Sequence, residues 1–313
     1  MKVVVTGGAG FIGANLCNRL SADFDEVVVL DDLSTGYKAN LAGMPVTLTE
    51  GTILDRGFVE TTLSGAESVV HLAARPSVPR SLSDPIATHD ANSTGTAVVL
   101  EAARAVGCTH VIVASSSSVY GDTAVLPKHE SLPVAPRSPY AASKLATESY
   151  ALAWGTSFGL DVLALRFFNV FGPLQSAGHA YAAVIPTFVS AALAGEPLPV
   201  HGDGRQTRDF TFVGSVTAVI TEAVRQRVAH PGPVNLAFGN RCSLLEVVSE
   251  LEKILDRRLP LRHQPARPGD VRDSQADQTL VRSLFPDVCP TEFPTGLRRT
   301  VEWFRVNALS QRS

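Results

Sequence analysis

The sequence predicts an α/β fold, a doubly wound parallel sheet with a smaller C-terminal α/β domain. Three observations predict it. Strand-like and helix-like segments alternate through the first half of the chain, the strands are short β-branched runs suited to burial on both faces, and a glycine-rich turn joins the first strand to the first helix. The 313 residues can bury a large core, as one big α/β unit or two closely packed domains. With 45% hydrophobic and 18% charged residues, the chain reads as ordered and globular. A net charge of −3 and the lack of a basic block argue against nucleic acid as a partner. Cys17, Cys108, Cys242 and Cys289 are scattered with no Cys-x-x-Cys, so they are expected to be reduced and mostly buried, with no metal site. No signal peptide or membrane span fits the N-terminus, and a cytoplasmic protein is expected.

The first element is the valine-rich run 2–6, read as a buried parallel strand. It ends in Gly7-Gly8-Ala9-Gly10-Phe11-Ile12-Gly13, which opens a helix with apolar Phe11, Ile12, Leu16 and Leu20. Glycines there let the backbone approach a pyrophosphate, and the helix N-terminus attracts its charge. A second strand, 26–30, runs into Asp31-Asp32. A carboxylate at that point accepts the ribose hydroxyls of an adenosine and repels a 2′-phosphate, which favours NAD over NADP.

Further strands are expected at 45–48, 68–72 and 110–114, with helices at 56–63 and 85–106. Ligands of such sheets bind beyond the carboxyl ends of the strands. Those ends carry Thr52-Ile53, then His71-Leu72-Ala73-Ala74, then the serine run 115–118 followed by Val119-Tyr120-Gly121. His71 reads as a packed strand-end histidine. Asn92, a poor helix former inside the long helix, reads either as a donor toward the sheet or as an exposed polar residue. The serine run lies too close to the next helix for another crossover unit, so its hydroxyls should meet that helix at one sheet edge.

That helix opens with Ser138-Pro139-Tyr140-Ala141-Ala142-Ser143-Lys144. Serine then proline is a helix-start signal, and a spacing of four puts Tyr140 and Lys144 on one face. Holding a tyrosine ionised near neutrality costs about 4 kcal/mol. One positive charge about 5 Å away returns roughly 3 kcal/mol at an effective dielectric of about 20. Lys144 and a cationic cofactor would together suffice. A sixth strand, 161–166, then runs into Phe167-Phe168-Asn169-Val170-Phe171-Gly172-Pro173, read as a tight exit from the sheet.

Taken together, the turn from Thr6 to Gly13, residues 116–121, the Tyr140/Lys144 pair and the stretches 166–173, 202–210 and 267–277 resemble the extended short-chain dehydrogenase/reductases. Within them, the resemblance is to the NAD-dependent sugar epimerase/dehydratase family, nearest to UDP-hexose 4-epimerases acting on UDP-glucose, UDP-N-acetylglucosamine or UDP-glucuronate. It implies a Rossmann domain over 1–172, a segment near 210–238 that returns to it, and a nucleotide-sugar domain formed mainly by 173–313. It implies Ser116, Tyr140 and Lys144 as the catalytic residues, with Tyr140 taking the proton of the sugar 4′-hydroxyl. NAD contacts are implied for Gly7, Gly10, Phe11, Ile12, Gly13, Asp31, Asp32, Ser34, Thr35, Gly36, Ile53, Leu72, Ala73, Ala74, Asn92, Tyr140, Lys144 and Phe167. Substrate contacts are implied for Ser77, Val78, Ser116, Ser117, Ser118, Tyr140, Asn169, Ala183, Val184, Phe188, Gln206, Arg208, Arg267, Asp270 and Ser274. Among these, Arg208 and Arg267 would take the diphosphate, and Asp270 the uridine ribose.

Similar 4,6-dehydratases carry an Asp-Glu pair where this chain has Ser117 and Ser118, and related decarboxylases keep a glutamate at the second position. Neither carboxylate is present, so the resemblance implies epimerisation, with a dehydratase, decarboxylase, ketoreductase or non-catalytic NAD sensor as the alternatives. Ser274 stands where strict UDP-glucose enzymes have a bulky residue, which leaves room for an N-acetyl group or a carboxylate. The stretch 176–181, with His179, is expected near that substituent. Thr52 departs from the aspartate usual at its place, and Ser283-Leu284-Phe285-Pro286 departs from the usual turn after Asp277. A homodimer is expected through the helices around Val98 and Tyr150, although those faces suit a core equally.

Overall fold

The computed structural model describes residues 1–177, 182–265 and 272–310, the last three through their backbone alone. The first half lays down β1 (Lys2–Thr6), α1 (Phe11–Asp23), β2 (Glu26–Asp31), β3 (Thr47–Glu50), α2 (Arg56–Leu63), β4 (Ser68–His71), α3 (Val78–Ser83), α4 (Pro85–His89), α5 (Gly95–Ala105), β5 (His110–Ser116), α6 (Pro139–Phe158) and β6 (Asp161–Phe167). The second half continues with β7 (Asn169–Phe171), α7 (Val184–Ala194), β8 (Leu198–His201), β9 (Thr207–Phe212), α8 (Val213–Gln226), β10 (Val234–Leu236), β11 (Arg241–Ser243), α9 (Leu244–Leu255), β12 (Leu261–Gln264), α10 (Thr279–Leu284) and α11 (Phe293–Ser310).

Seven parallel strands, in the order β10-β6-β5-β4-β1-β2-β3, form the Rossmann-like sheet. The chain turns from one half of the sheet to the other between β1 and β4, which opens a crevice at their carboxyl ends. Strand periodicity sorts the side chains onto two cores. Val3, Val5, Val27, Val29, Ile112, Leu163 and Leu165 meet Leu16 and Leu20 of α1 and Val216, Val219 and Ile220 of α8. Val4, Val28, Leu30, Val69, Val111 and Val162 meet Val59, Leu63, Val99, Leu100 and Ala151 of α2, α5 and α6 on the other face. Beside this sheet, β11-β9-β7 and β12-β8 form two small sheets around Phe171, Phe188, Phe210, Phe212 and Phe293.

Three local expectations are corrected. The third strand begins at Thr47, opposite Val28, because Pro45 has no N–H and the Val46 N–H is spent on the Met44 carbonyl. The helix expected over 85–106 is α4 and α5 joined by one π turn, Asp90–Thr94, which widens the helix at Asn92. The aromatic run after β6 is more than an exit. It contains β7, which pairs in parallel with β9, Asn169 opposite Phe210, and so starts a second sheet.

Candidate active site

The glycine turn has the shape of a dinucleotide cradle. Gly7 has φ +71, and a Cβ there would lie 2.6 Å from the Ala73 nitrogen, so the turn touches the end of β4. A Cβ at Gly10 would meet, among the described residues beyond its chain neighbours, just the Gly7 carbonyl oxygen at 3.2 Å, which leaves that side open. Gly10 caps α1 without a side-chain hydrogen bond, and among the described residues no side chain bonds the first-turn N–H groups of Phe11, Ile12 and Gly13. Asp31 is 7% exposed at the end of β2; its carboxylate accepts from Ala9 N and Leu33 N, each at 2.9 Å. Burial pushes its pKa up and those two N–H groups pull it back. Asp32 is exposed and turns to the Ser34 backbone and hydroxyl. The Ser34–Thr35–Gly36 loop closes on the turn: a Cβ at Gly36 would be 3.0 Å from Asp31 Oδ1. Leu72, Ala73 and Ala74 continue from β4 half-buried, and Ile53 is buried against Gly95. An anion-binding helix start, a carboxylate at the second strand end and small residues opposite together fit NAD.

Ser138 caps α6, accepting from Ala141 N at 3.1 Å, and Pro139 occupies the first turn, so Tyr140 and Lys144 stand at the start of the helix. Lys144 is buried and donates from Nζ to the Ala114 carbonyl at 2.8 Å; burial pushes its pKa down from 10.5 to about 8. Burial raises the Tyr140 pKa, and the interaction with the Ser116 hydroxyl pulls the other way. Ser116 Oγ accepts from Ser118 N at 3.2 Å and Ser118 Oγ at 2.9 Å. With two donors already directed at it, Ser116 keeps its own proton to donate.

Beneath this pair lies a buried polar net. Thr6 and Thr96 engage the two ring nitrogens of His71, and burial, with the Lys144 charge behind it, holds the imidazole neutral with a pKa of about 3. Asn92 is buried: it accepts from Arg75 N at 2.7 Å and donates to Ser143 Oγ at 2.9 Å and to the Arg75 carbonyl at 3.3 Å. Neither reading of Asn92 as sheet-directed or exposed holds, because the π turn aims it at the loop after β4 and at α6. Glu148 and Arg166 form a buried pair at 2.7 Å, and Ser115 donates to the same carboxylate at 2.9 Å.

A cavity of about 220 Å³ joins Asn169, Ala183, Val184, Phe188, Gln206 and Arg208, six of the expected substrate residues. Gln206 donates to the His201 carbonyl at 2.6 Å, and Arg208 to the Thr207 and Arg272 carbonyls at 2.8 and 3.1 Å. The cavity also takes in Gln175, Pro199 and His201, which the sequence reading missed. The alternation in β8 was the available signal: Leu198 and Val200 are wholly buried, while Pro199 and His201 line the cavity. Ser77 and Val78 begin α3, with Ser77 at φ +98, an uncommon conformation outside glycine. Phe167 ends β6 beside Ser116 and Leu236. Ser77, Val78, Ser117, Ser118 and Ser274 do not line this cavity. Arg267, Asp270 and His179 lie outside the described residues.

Cys17, Cys108 and Cys242 are buried, Cys289 is exposed, and all four are free. Among the described residues, no helix is long and apolar enough to cross a membrane.

The family model described as the NAD dependent epimerase/dehydratase family matches residues 3–237. UDP-glucose 4-epimerase of Mycolicibacterium smegmatis is 36% identical over 321 residues, covering 97% of this chain and 99% of that protein. The solved UDP-N-acetylglucosamine 4-epimerase of Methanobrevibacter ruminantium, in complex with UDP-N-acetylmuramic acid, has a TM-score of 0.92 and 35% identity, with 98% of each chain covered. A dTDP-glucose 4,6-dehydratase of Streptomyces venezuelae, solved with NAD, has a TM-score of 0.90 and 32% identity, with 99% and 98% covered.

Proposed function

The chain belongs to the NAD-dependent epimerase/dehydratase family, and from that premise we propose that it inverts C4′ of a UDP-hexose through a transient 4-keto sugar. One observation carries the choice of reaction: the two residues after Ser116 are Ser117 and Ser118, and Ser118 spends its hydroxyl on Ser116. Removing water from the keto sugar needs an acid and a base beside C5′ and C6′, and a keto hexuronate that lost carbon dioxide would need an acid to protonate C5′; serines at neutral pH supply neither. Return of the hydride is then the ready outcome.

Tyr140 takes the 4′-hydroxyl proton as a phenolate and later gives it back. Ser116, with its proton free, donates to the same oxygen. Lys144 places a positive charge under the phenolate. The glycine turn and Asp31 would hold NAD, which when bound would supply the hydride acceptor and a second positive charge. Asn169, Gln206 and Arg208 hold the diphosphate and ribose, with Arg267 and Asp270 as further partners, and Ala183, Val184 and Phe188 pack the uracil. Ser274, small and buried, gives the sugar end room for an N-acetyl or carboxylate substituent.

The test is a UDP-sugar panel incubated with purified protein and no added reductant, with products separated. C4′ epimers of at least one UDP-hexose are expected. A stable keto sugar, released carbon dioxide or net NADH consumption would replace this reading with another reaction of the family.

A further inference from the structure

We propose that Lys128 is a specificity-determining residue that receives a carboxylate carried by the hexose, so that the preferred substrate is a UDP-hexuronate. This rests on reading the site as one for a nucleotide sugar. Lysine is among the residues least often buried, yet Lys128 is 2% exposed and one of the largest wholly buried side chains in the protein. Its backbone is fixed in a short bridge: Lys128 N donates to the Gln275 carbonyl, and its carbonyl accepts from Asp277 N, both at 2.8 Å. Its Nζ lies 5.7 Å from the centre of the Tyr120 ring. No carboxylate or carbonyl among the described residues accepts from that ammonium.

Among the described residues, the sealed side-chain atoms without partners are Ser93 Oγ, Trp154 Nε1, Gln175 Oε1, Thr211 Oγ1 and Thr221 Oγ1. The Lys128 nitrogen is not one of them: its stem is enclosed, while its tip is not fully sealed. Burial and the nearby Arg208 charge lower its pKa, and Asp122 offsets this only in part. That aspartate is more than half exposed and paired with Arg137 at 3.1 Å. A buried cation without a counter-ion is costly, and a carboxylate brought by the substrate would relieve it.

The segments around Lys128 say which part of the substrate meets it. Tyr120 ends the turn that carries Ser117 and Ser118 at the reacting carbon. Phe168, 6.4 Å from the Tyr120 ring, precedes Asn169. Ala276, bridged to Lys128, lies two residues after Ser274. Arg208 marks the diphosphate end in the reading above. In a pyranose with the diphosphate on C1′ and the reaction at C4′, two edges run between these carbons: C2′–C3′, with neutral hydroxyl or acetamido groups, and C5′ with its C6′ substituent. A cation between the serine turn and Arg208 meets an anion only from the second, where a hexuronate carries its carboxylate and a neutral hexose only a hydroxyl.

The experiment is calorimetric titration of the NAD-loaded protein and its Lys128→Met variant with UDP, UDP-glucose and UDP-glucuronate. The wild type should bind UDP-glucuronate more tightly than UDP-glucose. Lys128→Met should lose that discrimination by roughly ten- to a hundred-fold, the scale of one charge-assisted hydrogen bond. Lys128→Arg should restore part of it, and the thermal midpoint of Lys128→Met should equal or exceed the wild-type value. Equal weakening of all three ligands would assign the cation to the diphosphate and overturn the proposal, as would unchanged discrimination or a lowered midpoint. Failure of UDP itself to bind the wild type would instead overturn the nucleotide-sugar reading.

Discussion

Lys144 carries a cost that the catalytic reading explains. Its pKa of about 8 in the fold, against 10.5 for a free lysine, corresponds to on the order of 3 kcal/mol of destabilisation. Below about pH 8 both folded and unfolded chains hold the proton, and the penalty is full. As pH rises through about 8 to 10.5 the unfolded chain binds more protons than the folded one, so stability rises and the penalty fades. Urea unfolding of nucleotide-free protein should therefore show Lys144→Met more stable than wild type at pH 7, with the gap closing toward pH 10. A constant gap would mean that the ammonium is not desolvated. Tyr140 and Lys144 were legible in the sequence because a helical spacing of four is local information. Lys128 was not, because its surroundings include Arg208 and Ala276, which arrive from distant segments to join the nearby Tyr120.

Among the elements, α6 is tied to the sheet by polar bonds as much as by its apolar side. The Glu148–Arg166 pair joins α6 to β6, and the Arg166 guanidinium lies 4.7 Å from the centre of the Tyr120 ring. Replacing one partner leaves the other charge buried. Arg166→Met is expected to cost about 3–5 kcal/mol in chemical unfolding, and adding Glu148→Met to it should recover most of that loss. If the double variant is as unstable as the single one, the charge is not what α6 depends on. The cap and start of α6 could be read from Ser138-Pro139, and the strands of the sheet from their valine runs. The π turn at Asn92 could not, because one extra residue in a helical turn hardly alters the apolar periodicity. β7 was hidden for a different reason: a three-residue strand is defined by its partner, β9, some forty residues on.

On the scale of the whole molecule, α6 also bears an aromatic row whose two ends are exposed. Tyr150, Trp154 and Phe158 follow at four-residue spacing with ring centres 5.9 and 5.5 Å apart. Tyr150 and Phe158 are exposed, as are Leu82 and Ile86 on the neighbouring α3 and α4. A homodimer closed over this face is the expected assembly. Light scattering should give twice the chain mass for wild type and a single chain mass for a Tyr150→Glu/Phe158→Glu variant; a monomeric wild type would remove the idea. Fold class and strand alternation were legible across this scale, since they are written in each segment. The walls of the cavity were legible only in part, because residues as far apart as Asn169 and Leu244 line one space.

The position of β10 has a consequence for how the chain is made. The strand that completes the seven-stranded sheet, and the helix α8 that covers Leu16 and Leu20, both lie beyond residue 212. While only residues 1–172 have left the ribosome, the β6 edge has its hydrogen-bonding groups open and one face of the sheet is covered by α1 without α8. An open edge beside uncovered valines and leucines invites pairing with another nascent chain. The early part of this protein must therefore be sheltered or kept uncollapsed until some sixty further residues have been added.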